Sequence, residues 1–130
     1  MLFWNIQEKG DDLIKGIGLD VIELKRIKRS IEKNNRIIGR ILTPQEQQAF
    51  HQLNGEHRQI EYLAGRFAAK EAFAKAAGTG IGSLSFQHIE VLANDKGAPQ
   101  LTAQGFETEQ IFISITHSRE FAAAQVIITT

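Results

Sequence analysis

Residues 57–82 read HRQIEYLAGRFAAKEAFAKAAGTGIG and contain the longest regular pattern in this chain of 130 residues. From His57 to Ala77 the stretch is rich in alanine, which favours helix, and it holds no proline. Gly78 follows, and glycine commonly ends a helix because it adopts the left-handed conformation without strain. The pattern predicts one long helix over 57–77 and a glycine-rich loop over 78–82.

Shorter elements precede this helix. Residues 15–22 (KGIGLDVI) are typical of a short buried strand, and residues 23–34 carry apolar side chains at helical spacing. Residues 43–46 (TPQE) give a clear start signal, because threonine caps a helix, proline suits its first position and the glutamate can reach back to the cap. This signal predicts a further helix ending near residue 53.

After the glycine-rich loop, the sequence changes to a pattern of strands and turns. Predicted strands cover residues 86–92, 99–101, 110–116 and 121–129, with turns at 94–97 and 117–120. Helices in the first part of a chain and strands in the last indicate the α+β class. We therefore expect an antiparallel sheet packed against one long helix, with shorter helices around it.

Composition narrows the classes of protein that need to be considered. The length fits one domain, which we assign to residues 15–130, with residues 1–14 as an N-terminal extension of unknown role. The net charge is zero, so no overall field attracts the chain to nucleic acid or membrane. There is no cysteine, which excludes disulfides and thiolate metal sites. No segment reads as a signal peptide or membrane span, and we expect a cytoplasmic protein.

Polar residues of the long helix form the first candidate site. Arg66 and Lys70 are four residues apart, as are Glu71 and Lys75, so the members of each pair are neighbours on the helix surface. A Glu–Lys pair at this spacing is also common as a weak structural contact, and the helix alone does not separate the two interpretations.

Asp20, at the end of the first predicted strand, is the second candidate. Its ordinary role would be a helix cap, since Asp20 with Glu23 three residues later has the form of a capping box. Asp20 and Glu71 come from separate elements and would also suit Mg²⁺, which prefers oxygen ligands and often binds through one or two carboxylates plus substrate phosphates. Lysines beside such a metal would meet the same phosphates.

Two further features would suit a phosphate. The loop beginning Gly78, Thr79 and Gly80 lets backbone amides approach an anion, although Gly78 serves equally well as the end of the helix. The loop follows a helix rather than preceding one, so it is neither a Walker nor a Rossmann motif. His117 lies at a predicted strand end, where a histidine is either structural or a phosphate contact.

Basic residues are concentrated in the segment 23–40. Seven lysines and arginines stand there against two glutamates, a local charge of +5 in a neutral chain. This is either a solvated helix face or a docking surface for an acidic partner, which would be an acidic protein or a nucleic acid.

Taken together, the motifs of this chain resemble those of the holo-(acyl carrier protein) synthases, the short branch of the 4′-phosphopantetheinyl transferase family. The resemblance runs from about Lys15 to the C-terminus, and its most specific part is the Lys-Glu-Ala stretch in its Phe-Ala-Ala frame. The matching segments are GIGLD (16–20), RI (26–27), RILT (40–43) with Glu46, LAGRFAAKEAF (63–73), KA (75–76), GTGIG (78–82), SITH (114–117) and AAA (122–124).

The resemblance implies an activity and a set of site residues. The family moves the phosphopantetheine arm of coenzyme A to a serine of an acyl carrier protein for fatty acid synthesis, releases 3′,5′-ADP, and assembles as trimers with active sites between subunits. By position, Asp20 and Glu71 match the Mg²⁺ carboxylates, and Lys70 and Lys75 match the lysines near the coenzyme A phosphates. The positions that match the nucleotide site are Arg66, Gly78, Thr79, Gly80 and His117. Arg26 matches the carrier-docking residue. Charge extends the docking surface to Arg29.

Some questions stay open at this level. The acceptor serine is deprotonated by Glu71 through a water, by Lys75 if neutral, or by a carrier carboxylate, and a lysine would need a depressed pKa for this. Two other classes of protein compete with the enzyme. One is a nucleic-acid-binding module using the basic helix, although few aromatic residues are placed for base stacking. The other is a coenzyme A-binding protein of the same fold without catalysis.

Overall fold

The computed structural model describes residues 13–83 and 85–130. The prediction of an extension over residues 1–14 falls almost wholly outside the described residues. In chain order the elements are β1 (Ile14–Glu23), α1 (Leu24–Lys33), α2 (Arg36–Ile41), α3 (Pro44–Gln52), α4 (Glu56–Ala77), a short helical turn α5 (Gly80–Ser83), a 3₁₀ turn (Phe86–His88), β2 (Ile89–Ala93), β3 (Pro99–Ala103), β4 (Gln110–His117) and β5 (Phe121–Thr129). The α+β class is confirmed.

The strands form two antiparallel sheets rather than one. A three-stranded sheet has the order β1-β5-β4, and β2 pairs with β3 in a separate two-stranded sheet. Between β3 and β4 the chain turns at Gly105, whose φ of 87° suits glycine. The predicted hairpin between β4 and β5 is confirmed, and Ser118 N donates to Phe121 O across it at 2.8 Å.

The long helix α4 is the centre of the core. Its alanines Ala64, Ala68 and Ala72 are fully buried, together with Leu63 and Phe73. Small side chains on this face let the three-stranded sheet approach the helix closely. No helix among the described residues is long and apolar enough to cross a membrane.

Strand β1 lies directly against the backbone of α4. A Cβ atom built on Gly18 would stand 1.8 Å from the Ala72 carbonyl oxygen, and one on Gly16 would stand 1.8 Å from that of Ala76. Only glycine fits at these two positions, because any side chain would overlap the helix. This contact fixes the distance between β1 and α4, and so the position of Asp20 in the second half of the strand.

Helix ends follow the local signals with one exception. The capping box of Thr43 and Glu46 is present, and Gly78 closes α4 with φ 77°. The predicted capping box of Asp20 and Glu23 is wrong, because β1 continues to Glu23, and Glu23 itself is the cap position without a side-chain hydrogen bond.

The shortest elements were not predicted. Helix α2 has six residues, and neither it nor the four-residue turn α5 is long enough to show a periodic pattern. The predicted strand over 86–92 begins with the 3₁₀ turn instead, and β2 itself starts at Ile89.

Candidate active site

Asp20 and Lys75 meet between β1 and α4. Lys75 Nζ lies 3.1 Å from Asp20 Oδ1 and donates to the Leu19 carbonyl at 2.9 Å. Helical spacing predicts Glu71 as the neighbour of Lys75. The ion pair that forms instead joins α4 to β1 and does not link two turns of one helix. Close packing of β1 on α4 explains this choice, since it brings the strand end within reach of the lysine.

Glu71 lies one turn before Lys75 on the same helix. Burial raises the pKa of Glu71, and the negative charge of Asp20 raises it further. Lys75 and Arg26 act in the opposite direction but are outweighed. The carboxyl of Glu71 therefore stands beside a second carboxylate, with cations nearby that only partly compensate the rise in its pKa.

This donor set fits Mg²⁺. The ion prefers carboxylate oxygens and keeps several coordination positions for water or substrate phosphates. Burial and neighbouring charges shift the pKa of Glu71. Among the described residues, no hydrogen bond to its carboxylate contributes to this shift. The two carboxylates that would hold the metal are Asp20 and Glu71.

Glycine and threonine residues follow α4 as predicted, although their amides are already in use. Gly78 N donates to Lys75 O at 3.1 Å and Thr79 N donates to Ala74 O at 3.2 Å. The Thr79 hydroxyl donates to the Gly80 carbonyl. These two amides therefore cap the helix and do not cradle a phosphate, because each N–H has one hydrogen to give.

A second cluster lies in the first half of α4, next to the end of β4. Arg66, Arg58 and His117 line a cavity of about 210 Å³ there. His117 Nδ1 stands 3.2 Å from a Glu61 carboxylate oxygen. Sequence reasoning found Arg66 and His117 but missed Arg58 and Glu61, although steps of four residues from 58 to 66 and of three residues from 58 to 61 place all of them along one side of the helix.

The two clusters are well separated within one chain. Glu61, beside His117, and Lys75 are fourteen positions apart on α4, which corresponds to roughly 21 Å along the axis at 1.5 Å per residue. The chain therefore brings together Asp20, Glu71 and Lys75 at one end of the helix, whereas Arg66, near the middle of α4, and His117 lie toward the other end. The predicted residues do not converge on a single point of one chain.

Lys70 is located in the core, and its predicted contact with coenzyme A phosphates needs correction. Its side chain is wholly buried. The ammonium group donates to Glu46 Oε1 at 2.6 Å, to Ile41 O at 2.7 Å and to Phe86 O at 3.1 Å. An ammonium has three hydrogens, and all are used. Adjacent residues point about 100° apart on a helix, so Lys70 faces inward while Glu71 faces the site.

The basic helix α1 borders the carboxylate cluster. Its apolar residues Leu24 and Ile27 are buried, whereas Arg26 and Arg29 are exposed on the other side. Arg26 is close enough to Glu71 to lower the pKa of that carboxyl. The positive surface thus adjoins the place where an acceptor would have to be presented.

The fold is that of a known class of transferase. Residues 16–129 match the family model of the 4′-phosphopantetheinyl transferase superfamily. The holo-(acyl-carrier-protein) synthase of Oceanobacillus iheyensis is 52% identical over 118 residues, covering 91% of this chain and 98% of the relative. That of Listeria monocytogenes serotype 4a is 54% identical over 117 residues, covering 89% and 98%.

Solved structures agree with these sequence relationships. A holo-(acyl-carrier-protein) synthase from Bacillus anthracis, in complex with coenzyme A (3′,5′-ADP), superimposes with a TM-score of 0.82 at 47% identity. The match covers 90% of this chain and 97% of that structure. Within the superfamily, this chain belongs to the holo-(acyl-carrier-protein) synthases.

Proposed function

We propose that this chain transfers 4′-phosphopantetheine from coenzyme A to a serine of an apo acyl carrier protein, in the cytoplasm and in support of fatty acid synthesis. The observation that carries the proposal is the meeting of Asp20, Glu71 and Lys75, with Lys75 Nζ 3.1 Å from Asp20 Oδ1. In a chain of this family, two carboxylates and a lysine at one point suit the pyrophosphate of the donor.

The reaction is a phosphoryl transfer. The serine hydroxyl gives its proton to a base, which is Glu71 through a water, a neutral Lys75 or a carrier carboxylate, and its oxygen forms a bond to the β-phosphorus of coenzyme A. The bond from that phosphorus to the bridging oxygen breaks, and 3′,5′-ADP leaves. Such transfers depend on positioning and charge neutralisation more than on covalent help from the protein. Lys75, held by Asp20 and the Leu19 carbonyl, would stabilise negative charge on the leaving oxygen.

A magnesium ion would be held by Asp20 and Glu71. When bound, it supplies neutralisation of the pyrophosphate charge and of the repulsion between the two carboxylates. Asp20 has a second task, because its contact with Lys75 keeps the ammonium at the same point. Asp20 is therefore expected to affect both the metal and the lysine.

The nucleotide end of coenzyme A is assigned to the cavity of Arg66 and His117. Arg58 adds a third cationic or hydrogen-bonding side chain to that cavity. Arginine suits phosphate because its planar group donates two parallel hydrogen bonds. The exposed residues that follow α4, Gly78, Thr79 and Gly80, would also contact the donor. They would not do so through the amides of Gly78 and Thr79, because these already cap the helix.

The acyl carrier protein is assigned to the exposed side of α1. Arg26 and Arg29 lie on this side, and the segment 23–40 carries a net charge of +5 in a neutral chain. Long-range attraction of this kind increases the rate of encounter and orients an acidic partner. Arg26 also borders Glu71, so a carrier docked there presents its serine near the carboxylates.

A homotrimer with active sites between subunits is part of the proposal. The outer face of the three-stranded sheet exposes Ile17, Leu19, Val21 and Phe112, each more than half accessible. Contiguous apolar surface of this kind usually marks an interface. The separation of the two clusters along α4 supports the same conclusion, because a neighbouring subunit then brings its nucleotide cavity to this chain's carboxylates.

The deciding experiment is intact mass spectrometry of an apo acyl carrier protein incubated with this chain, coenzyme A and Mg²⁺. We expect the carrier to gain the mass of one phosphopantetheine, and to gain nothing when EDTA is present. Glu71→Ala should abolish the gain, whereas the matched variant Glu107→Gln, at an exposed acid outside the site, should not. If a carrier shown competent with a known transferase gains no mass, the chain is a coenzyme A-binding protein of this fold instead.

A further inference from the structure

Arg66 is held from two sides in the free protein. Its guanidinium carbon lies 4.0 Å from the centroid of the Tyr62 ring, a cation–π arrangement. Its Nε donates to the Val91 carbonyl at 3.4 Å, which ties it to strand β2. A long arginine side chain has many rotamers in water, so two such contacts restrict the directions in which its two terminal NH₂ groups point.

Both supports lead back to one buried residue, Glu46. The Tyr62 hydroxyl donates to the Glu46 backbone carbonyl at 3.2 Å. On the other side, Glu46 Oε2 accepts the Val91 amide hydrogen at 2.7 Å, and Val91 is the residue whose carbonyl accepts from Arg66. Glu46 therefore holds both residues that contact Arg66. Its backbone carbonyl holds Tyr62, and its carboxylate holds Val91.

The rigidity of Glu46 comes from its own surroundings. Its second oxygen accepts from Lys70 Nζ at 2.6 Å and from the Thr43 amide at 2.8 Å. Its side chain is wholly buried, so water does not compete for these bonds. Burial also raises the pKa of Tyr62, so its hydroxyl stays protonated and donating to a higher pH than that of an exposed tyrosine.

We propose that Tyr62 and Glu46 are positioning residues for Arg66, which aim its guanidinium into the cavity that takes a phosphate of the donor. The inference rests on the function proposed above for that cavity. It adds two residues that act through Arg66, one of which, Tyr62, also lines the cavity, and it gives the buried side chain of Glu46 a task beyond the capping of α3. A pre-aimed arginine binds phosphate more tightly because less side-chain entropy is lost on binding.

The inference predicts a specific kinetic pattern. Tyr62→Leu removes both the ring and the hydroxyl and should weaken binding of 3′,5′-ADP, and raise KM for coenzyme A, by about tenfold. Tyr62→Phe keeps the ring but loses the bond to Glu46, and should have about a threefold effect. Since neither variant touches the carboxylate cluster, kcat should change less than about twofold in both.

A matched control exists on the same helix. Gln59 Nε2 donates to the Phe50 carbonyl at 3.2 Å, another side-chain bond between α4 and α3, but it is not on the path to Arg66. Gln59→Met should leave binding of 3′,5′-ADP unchanged. Thermal unfolding of every variant shows that the fold is intact before binding is compared.

The decisive test is a double-mutant cycle with 3′,5′-ADP as the probe, measured by calorimetry on the full chain. Arg66→Ala alone should weaken binding, and adding Tyr62→Leu in that background should change nothing more. An equal loss with and without Arg66 would overturn the inference, and so would unchanged binding in Tyr62→Leu. If Arg66→Ala itself binds normally, the role proposed for Arg66 is wrong, and the positioning role falls with it.

Discussion

Lys70 and Glu46 form an ion pair inside the protein, with Lys70 Nζ 2.6 Å from Glu46 Oε1 and both side chains wholly buried. The pair joins α4 to the start of α3, and Lys70 also holds the end of α2 and the 3₁₀ turn through the carbonyls of Ile41 and Phe86. Glu71, the next residue, faces the carboxylate cluster. Two adjacent charged residues of one motif thus serve different purposes, one in the core and one at the site.

The buried pair predicts a large stability effect. Lys70→Met leaves the Glu46 charge buried without its partner and should cost about 3–5 kcal/mol of unfolding free energy. Replacing both residues, as in Glu46→Leu with Lys70→Met, should recover much of this loss because no charge remains buried. Urea unfolding of Lys70→Met, of Glu46→Leu alone and of the double variant measures the coupling. A double variant no more stable than Lys70→Met would show that the hydrogen bonds matter more than the charges.

A larger residue at Gly18 should have a steric effect. An alanine Cβ there would stand 1.8 Å from the Ala72 carbonyl oxygen, so Gly18→Ala must push β1 away from α4. We expect a loss of about 1–3 kcal/mol, with activity falling because Asp20 moves away from Glu71 and Lys75. Gly39→Ala is the control, since the atom nearest to its added Cβ is 3.8 Å away. Equal effects of the two substitutions would contradict the close packing of β1.

Substitution of Glu71 should have opposite effects on stability and on activity. Its raised pKa means that the folded state holds this proton more tightly than the unfolded state, so ionisation costs stability as pH rises from its ordinary pKa through the raised value. Above that range, Glu71→Gln should raise the Tm of the metal-free protein and abolish transfer. Mg²⁺ should stabilise the parent protein but not the variant, which differential scanning fluorimetry tests. A variant that Mg²⁺ stabilises normally would remove Glu71 from the metal site.

The basic face of α1 predicts a selective effect on the carrier. Reversing Arg26 and Arg29 to Glu should raise KM for the acyl carrier protein by about tenfold or more, and leave KM for coenzyme A nearly unchanged. Lys28→Glu is a matched control on the same helix, because Lys28 lies 3.6 Å from Glu56 on another side. Steady-state kinetics at varied salt measures both constants. If Lys28→Glu acts as strongly, the attraction is diffuse and no docking face exists.

The exposed sheet face predicts an oligomer. Phe112, on β4, is 54% accessible in the single chain. Phe112→Glu should therefore separate the proposed trimer into monomers that remain folded but inactive, since the nucleotide cavity and the carboxylates would then belong to no common site. Light scattering after size exclusion gives the mass, and Gln100→Glu on the other sheet is the control. A trimer that persists with full activity would place the interface elsewhere.

Local chemistry explains what could be predicted from sequence. The ends of α4 and α3 follow from Gly78 and from the Thr43–Glu46 capping box, because such signals act over three or four residues and need no distant contact. The class of fold follows from the order of helical and strand patterns. The candidate carboxylates Asp20 and Glu71 were recognised by residue type and by the motif around them.

Tertiary structure decided which way each polar residue faces. The spacing of residues 66–75 predicted a contact between Glu71 and Lys75. Because β1 packs closely on α4 through Gly16 and Gly18, Lys75 forms its ion pair with Asp20 instead. Lys70 looked equivalent to Lys75 in sequence, and only the helix rotation that buries one and exposes the other distinguishes them. Periodicity fixes relative angles along one helix, whereas the packing of distant segments selects the side that becomes the core.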